Sequence, residues 1–291
     1  MQSIKVSVYC LSVSLSLSVY FYFNKIWNSE LLTLDVRTDN LLLMGSPVKI
    51  VAISIMYWFF VKRLGPEFMK NREPFELKYV LLFYNLLQIV ANIYLAYAVS
   101  YHLFGSQSHL SLHCLRRAPD RFWGPNPLLR LTHYYYLLKV VDYADTVFFV
   151  LRKRYNQISF LHVYHHILMA LGCYAPRYLG FGHFLMLGYI NTYVHAVMYF
   201  YYLMSSLRTG MKSSLWWKKY ITQLQILQFL LLIVHFARPL FRKDCDQSSV
   251  VATFCLLQNI FMAVMFADFY VKAYYLKSLV ATSPCVAFDE E

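Results

Sequence analysis

The 291-residue chain is 59% hydrophobic, has only 14% charged residues and carries a formal net charge of +12 at pH 7. A soluble domain has about a quarter charged residues, so this composition excludes an ordinary soluble fold and points to a single helical membrane domain. Nucleic acid is not the expected partner, because the basic residues cluster between apolar runs (Lys62-Arg63, Arg152-Lys153-Arg154, Lys218-Lys219), as they do at cytosolic helix ends.

In chain order, the first apolar run, Val6–Phe23, follows Lys5 and is laced with serines at 12, 14, 16 and 18. A signal-like segment, an eighth span and an extension without function all fit it. Seven candidate spans follow, at about 43–61, 79–104, 131–151, 160–175, 183–204, 220–237 and 249–271. Prolines punctuate them: Pro66 and Pro74 after the first, Pro119, Pro125 and Pro127 before the third, Pro176 after the fourth and Pro239 after the sixth. The excess of Lys and Arg in 62–78, 152–159, 205–219 and the tail predicts a lumenal N-terminus and a cytosolic C-terminus. Cys114 and Cys245 then both fall in non-cytosolic loops. In an oxidising compartment they are a candidate disulfide, with two unpaired thiols as the alternative.

Charged and polar groups inside such spans are expensive and therefore functional candidates. The third span carries Lys139, Asp142, Asp145 and Thr146, with Lys139/Asp142 and Asp142/Thr146 at same-face spacings. A neutralising ion pair explains Lys139 and one acid, and leaves the other acid without a partner in that span. The fourth span opens with His162, His165 and His166, three imidazoles on one helical face. The fifth carries Asn191, His195, Met198, Tyr199 and Tyr202 along one stripe, and the sixth opens with Thr222, Gln225 and Gln228. Packing is the alternative reading for an aromatic stripe, and interhelical bonding for amides and hydroxyls, whereas His195 with Asn191 one turn away is the better candidate for chemistry; Asp268 reads as a structural ion-pair partner. In the predicted topology all four groups lie towards the cytosolic side, as a shared cavity would require.

These residues resemble the motif set of the ELO family of very-long-chain fatty acid elongases, the 3-oxoacyl-CoA synthases. KxxExxDT is met by Lys139, Asp142, Asp145 and Thr146, with Asp in place of Glu; HxxHH by His162, His165 and His166; NxxxHxxMYxYY by Asn191, His195, Met198, Tyr199, Tyr201 and Tyr202; and TxxQxxQ by Thr222, Gln225 and Gln228. The resemblance covers about residues 35–278, leaving 1–34 as an extension and 279–291 as a cytosolic tail. It implies an all-α polytopic membrane protein with seven transmembrane helices, six of them forming a barrel-like bundle around an acyl tunnel. It also implies the endoplasmic reticulum membrane and a decarboxylative Claisen condensation of malonyl-CoA with a long-chain acyl-CoA.

By the same resemblance His165 is the nucleophile and His195 and Asn191 assist it, while Asp142 and Asp145 orient His162 and His166. Lys139, Thr146, Tyr199, Tyr202, Thr222, Gln225 and Gln228 belong to the substrate site, and Arg152, Lys153, Lys218 and Lys219 are contacts for CoA phosphates. The expected partners are the two CoA substrates, the lipid bilayer, and the reductases and dehydratase of the elongation cycle, with no metal and no cofactor. The tail, ending Phe288-Asp-Glu-Glu291, lacks the dilysine signal many members use for reticulum retention. A di-iron desaturase is the rival histidine-box reading, but it needs about eight histidine ligands from several boxes, against the four core histidines His162, His165, His166 and His195. A non-enzymatic seven-helix receptor or transporter is the other rival, opposed by the cytosolic clustering of the polar groups.

Overall fold

The computed structural model describes residues 39–104, 127–175, 182–207, 217–242 and 249–275. Among them every regular element is helical. Helix α1 (Pro47–Phe59) starts on a Ser46 cap with Pro at its first position. It runs through a π segment, Phe60–Leu64, into a short α2 (Gly65–Met69). Pro66 has no N–H to give to the carbonyl four residues back, and the ladder widens there, with Gly65 N–H bonding to Phe60 O. The first rod therefore continues past the predicted boundary near residue 61.

Helices α3 (Lys78–Phe104), α4 (Pro127–Val141), α5 (Tyr143–Leu151), α6 (Phe160–Tyr174), α7 (Gly182–Leu207), α8 (Lys218–Phe241) and α9 (Ser249–Tyr270) follow, with a π segment at Val271–Tyr275. The predicted span at 131–151 thus starts earlier and breaks at Asp142, where the turn is tight (φ −59°, ψ −16°) and the carboxylate is used elsewhere than as a cap. Helix α8 also continues through Pro239, which the sequence reading placed beyond the span; so near the helix end only one carbonyl loses its donor.

The helices show the polarity of a bilayer protein. On α3 the outward residues include Phe83, Leu86, Leu87, Val90 and Ile93, while Asn85, Gln88 and Asn92 are buried. A water-facing helix would reverse that order. Among the described residues three helices are long and apolar enough to cross a membrane: Lys78–Phe104, Lys218–Phe241 and Ser249–Tyr275. The chain is a multi-pass α-helical membrane protein. Helix α7 is equally long at 26 residues but is laced with Tyr, His and Asn, and α6, at 15 residues, covers only about 22 Å.

Helix α7 packs on α3 and α8, α8 on α9, α4 on α3 and α6, and α1 on α6. Side chains join α6 to α9, where Gln258 Nε2 donates to the Tyr164 hydroxyl at 2.9 Å. One apolar cluster (Leu95, Val99, Leu103, Leu128, Leu131, Tyr135, Leu185) fills one end of the α3–α4–α7 contact, and a second (Tyr84, Met198, Tyr199, Tyr201, Ile221) gathers at the opposite end of α3 and α7. The polar residues of α3, α4 and α7 lie between them.

Candidate active site

At the break between α4 and α5, the Lys139 ammonium donates to Asp142 Oδ2 at 2.8 Å and reaches His195 Nδ1 on α7 at 3.1 Å. The ion pair is out of solvent, its side chains 1% and 3% exposed. An ammonium can only donate, so Nδ1 of His195 accepts and its ring proton sits on Nε2. That makes His195 a neutral imidazole with a fixed tautomer.

Asp142 is held from two further sides. Gln88 Nε2 donates to Oδ1 at 2.8 Å, and the Tyr199 hydroxyl lies 3.2 Å from the same oxygen. Tyr199 reaches Asp145 Oδ2 as well, at 2.7 Å. The phenol has one proton, so it donates to one carboxylate at a time. Asn92 in turn donates to the Gln88 carbonyl at 2.8 Å and to its Oε1 at 3.3 Å, which turns the Gln88 amide nitrogen towards the acid. Gln88 and Asn92 were not singled out from the sequence, although they are neighbours on one helical face in a long apolar run.

The histidines of α6 are set by its start. Ser159 caps the helix and accepts from His162 N–H at 3.2 Å, so His162 falls in the first turn and His165 and His166 in the next. His162 Nε2 shares a 2.9 Å hydrogen bond with the Thr146 hydroxyl, which also bonds Tyr57 at 2.7 Å. The expectation that Asp142 and Asp145 orient His162 and His166 is therefore corrected: Thr146 holds His162, and the acids serve Lys139, Gln88 and Tyr199. The α5–α6 turn brings Thr146, one helical turn beyond Asp142, against the new helix. His166 is buried against His162, ring centroids 4.4 Å apart.

His165 makes no hydrogen bond with any described residue and lines a cavity of about 100 Å³. Leu168, Met169, Gly172 and Cys173 continue its stripe on α6; Leu187, Leu232, Phe254 and Met262 close much of the rest, and the wall is almost wholly apolar. Gln228 lines the same cavity and accepts from Asn191 Nδ2 at 3.4 Å, while Asn191 Oδ1 accepts from Tyr135 at 2.8 Å. The structure thus divides the predicted residues into an ion-paired network on α3, α4, α5 and α7, and a cavity headed by His165.

Other predicted residues lie further out. Gln225 reaches the Met198 sulfur at 3.7 Å, and Thr222 bonds the carbonyl of Lys218 at 3.5 Å. Tyr202 stacks edge-on to Tyr199 but is partly exposed. Lys218 and Lys219 are exposed at the start of α8. Lys153 instead lines a surface hollow with Lys62, Arg63, Lys70, Glu67 and Tyr155; Arg152 is the C-cap of α5 beside it. Lys153 sits at φ 53°, and the bonds Lys153 N–H to Val150 O and Arg154 N–H to Phe149 O form a Schellman turn in which glycine is the usual occupant. Cys114 and Cys245 lie outside the described residues.

The sequence model described as ELO: GNS1/SUR4 family matches residues 42–281. Very long chain fatty acid elongase 7 of Rattus norvegicus is 36% identical over 268 residues, 89% of this chain and 90% of the relative. Very long chain fatty acid elongase 7 of Drosophila melanogaster is 36% identical over 244 residues (82% and 73%), and very long chain fatty acid elongase 4 of Homo sapiens 34% identical over 250 (82% and 76%).

Proposed function

The chain belongs to the ELO family, and from that premise we propose that it is a very-long-chain 3-oxoacyl-CoA synthase, the condensing enzyme of fatty acid elongation. The observation that carries this reading is His165: an imidazole without a hydrogen-bond partner among the described residues, at the head of an apolar cavity. That is the environment of a nucleophile loaded with an acyl chain.

In the first half-reaction a His165 nitrogen attacks the acyl-CoA thioester carbonyl. The C–S bond breaks, CoA leaves as its thiolate, and an acyl-imidazolium remains, its second ring nitrogen keeping its proton. In the second, malonyl-CoA loses carbon dioxide and the electron pair of the broken bond becomes a carbanion next to its thioester. That carbon attacks the acyl group, the bond to His165 breaks, and the product is a 3-oxoacyl-CoA two carbons longer. His195, with its proton on Nε2, and Asn191 serve as donors to the developing oxyanions. Lys139, Asp142, Gln88 and Tyr199 hold His195 in that tautomer. His162 and His166 flank the nucleophile, with Asp145, Thr146, Tyr202, Thr222, Gln225 and Gln228 around the site.

The contact order of the helices supports a reading in which α3, α4–α5, α6, α7, α8 and α9 form a six-helix barrel with α1 outside, seven spans in all. The basic hollow around Lys153 suits CoA phosphates on the cytosolic side of the reticulum membrane, with Lys62, Arg63 and Lys70 added to the predicted Arg152 and Lys153; Lys218 and Lys219, exposed at the start of α8, are further candidate contacts. The elongation domain spans about 35–278 in this reading, and the reductases and dehydratase of the cycle take the product onward.

The test is microsomal elongation with labelled malonyl-CoA across an acyl-CoA series, comparing wild type with His165→Ala. Two-carbon extension by wild type that vanishes in the variant is expected. No extension of any chain by well-expressed wild type sinks the proposal.

A further inference from the structure

Of the helical glycines Gly65, Gly172 and Gly188, two have a packing reason. A Cβ at Gly65 would sit 2.6 Å from Val150 Cγ1 and 2.9 Å from Phe60 O; one at Gly188 would sit 3.2 Å from the Tyr135 ring. Gly172 has none. Among the described residues a Cβ there would meet nothing within 4 Å, although the residue lies in the last turn of α6 and lines the cavity headed by His165.

Glycine inside a helix is about 1 kcal/mol less favourable than alanine. In membrane helices it is commonly offset by close approach of a second backbone. Among the described residues no atom comes close enough to Gly172 to supply that offset. The empty volume beside it is continuous with the cavity, on the same stripe as His165, Leu168, Met169 and Cys173.

We propose that Gly172 is a specificity-determining residue: the space left by its missing side chain belongs to the acyl substrate and admits long chains past this depth. This rests on the elongase reading above. Gly172 is seven residues beyond His165, about 10.5 Å along the helix axis. An extended chain with C–C bonds of about 1.5 Å advances about 1.25 Å per carbon, so the gap lies beside roughly the eighth or ninth carbon of an acyl group on His165. Shorter acyl groups end above it. Longer ones pass it, and a branched side chain at 172 would stand in their path.

The experiment measures elongation of saturated acyl-CoAs from octanoyl to lignoceroyl by wild type, Gly172→Ala and Gly172→Leu, with the melting temperature of each purified protein. The ratio of octanoyl-CoA to palmitoyl-CoA extension is expected to rise about tenfold or more in Gly172→Leu and by less in Gly172→Ala. Gly172→Ala is expected to be at least as stable as wild type, because its methyl enters vacant space and improves the helix. An active Gly172→Leu with an unaltered chain profile overturns this inference alone. A destabilised Gly172→Ala does the same, since it would make Gly172 a packing glycine. If Gly172→Leu fails to fold, the profile of Gly172→Ala decides: a shift towards shorter chains supports the assignment and an unchanged profile overturns it. Wild type that extends no acyl-CoA defeats the elongase reading and this one with it.

Discussion

Lys139→Met removes one ammonium that serves two partners, and the two losses can be separated. Asp142 is 3% exposed and would keep only neutral donors, Gln88 at 2.8 Å and Tyr199 at 3.2 Å. Stranding one member of a buried pair costs about 3–5 kcal/mol. The two remaining hydrogen bonds place this case at the low end, near 3 kcal/mol, or roughly a 5–10 °C drop in melting temperature. Adding Asp142→Asn removes the uncompensated charge while leaving an oxygen for Gln88 and Tyr199. The double variant is expected to recover about 2 kcal/mol relative to Lys139→Met. Elongation should not recover with it, because His195 Nδ1 still lacks its donor at 3.1 Å and the tautomer is no longer fixed. Thermal unfolding in detergent reads the first quantity, and labelled malonyl-CoA incorporation the second. The reasoning is refuted if Lys139→Met melts within about 2 °C of wild type, or if the double variant melts below the single.

Tyr199→Phe deletes the hydroxyl between Asp142 and Asp145 and should lower kcat by about 10–100-fold, taking about 1.5–3 kcal/mol for a hydrogen bond to a charged group; an unchanged kcat would mean that the phenol only fills space. Gly65→Ala should destabilise by about 1–3 kcal/mol, since its Cβ would press on Val150 and the Phe60 carbonyl; equal melting temperatures would show that the π segment relaxes freely. Lys153→Gly should raise stability by about 1 kcal/mol by relieving the left-handed conformation at φ 53°, yet raise KM for acyl-CoA through loss of one cation. A KM unmoved in this variant would remove Lys153 from CoA recognition.

Much of the site is legible because bilayer helices make polar residues conspicuous. Lys139, Asp142, His195 and the α6 histidines stand out by spacing and by chemistry alone, and three-residue spacing correctly pairs Lys139 with Asp142. What spacing does not fix is how one helix is rotated about its axis relative to another. The acids therefore face Gln88 and Tyr199 rather than His162, and Thr146 takes the place they were expected to fill. Gln88 and Asn92 carry no charge, and an amide stripe in an apolar run gives the same signal more weakly. The boundaries went astray where local chemistry is unusual: the widened ladder before Pro66, the tight turn at Asp142 and the last-turn Pro239.

The ion pair at that turn also bears on how the protein is made. Lys139 and Asp142 are three residues apart, so their contact closes within a single segment. An isolated charge at mid-bilayer costs about 2.5–3.5 kcal/mol on insertion. Lys139 and Asp142 can instead enter the lipid as a neutral pair, before α7 has been synthesised. Asp145 has no such partner within its own segment, and its 2.7 Å bond comes from Tyr199, 54 positions later in the chain. If the helices insert in chain order, these contacts form in two stages, the Lys139–Asp142 pair within the α4–α5 span first and the bonds to α7 second. Moving the lysine to another helix would preserve the folded contact and lose the early stage, leaving an unpaired acid at the moment of insertion.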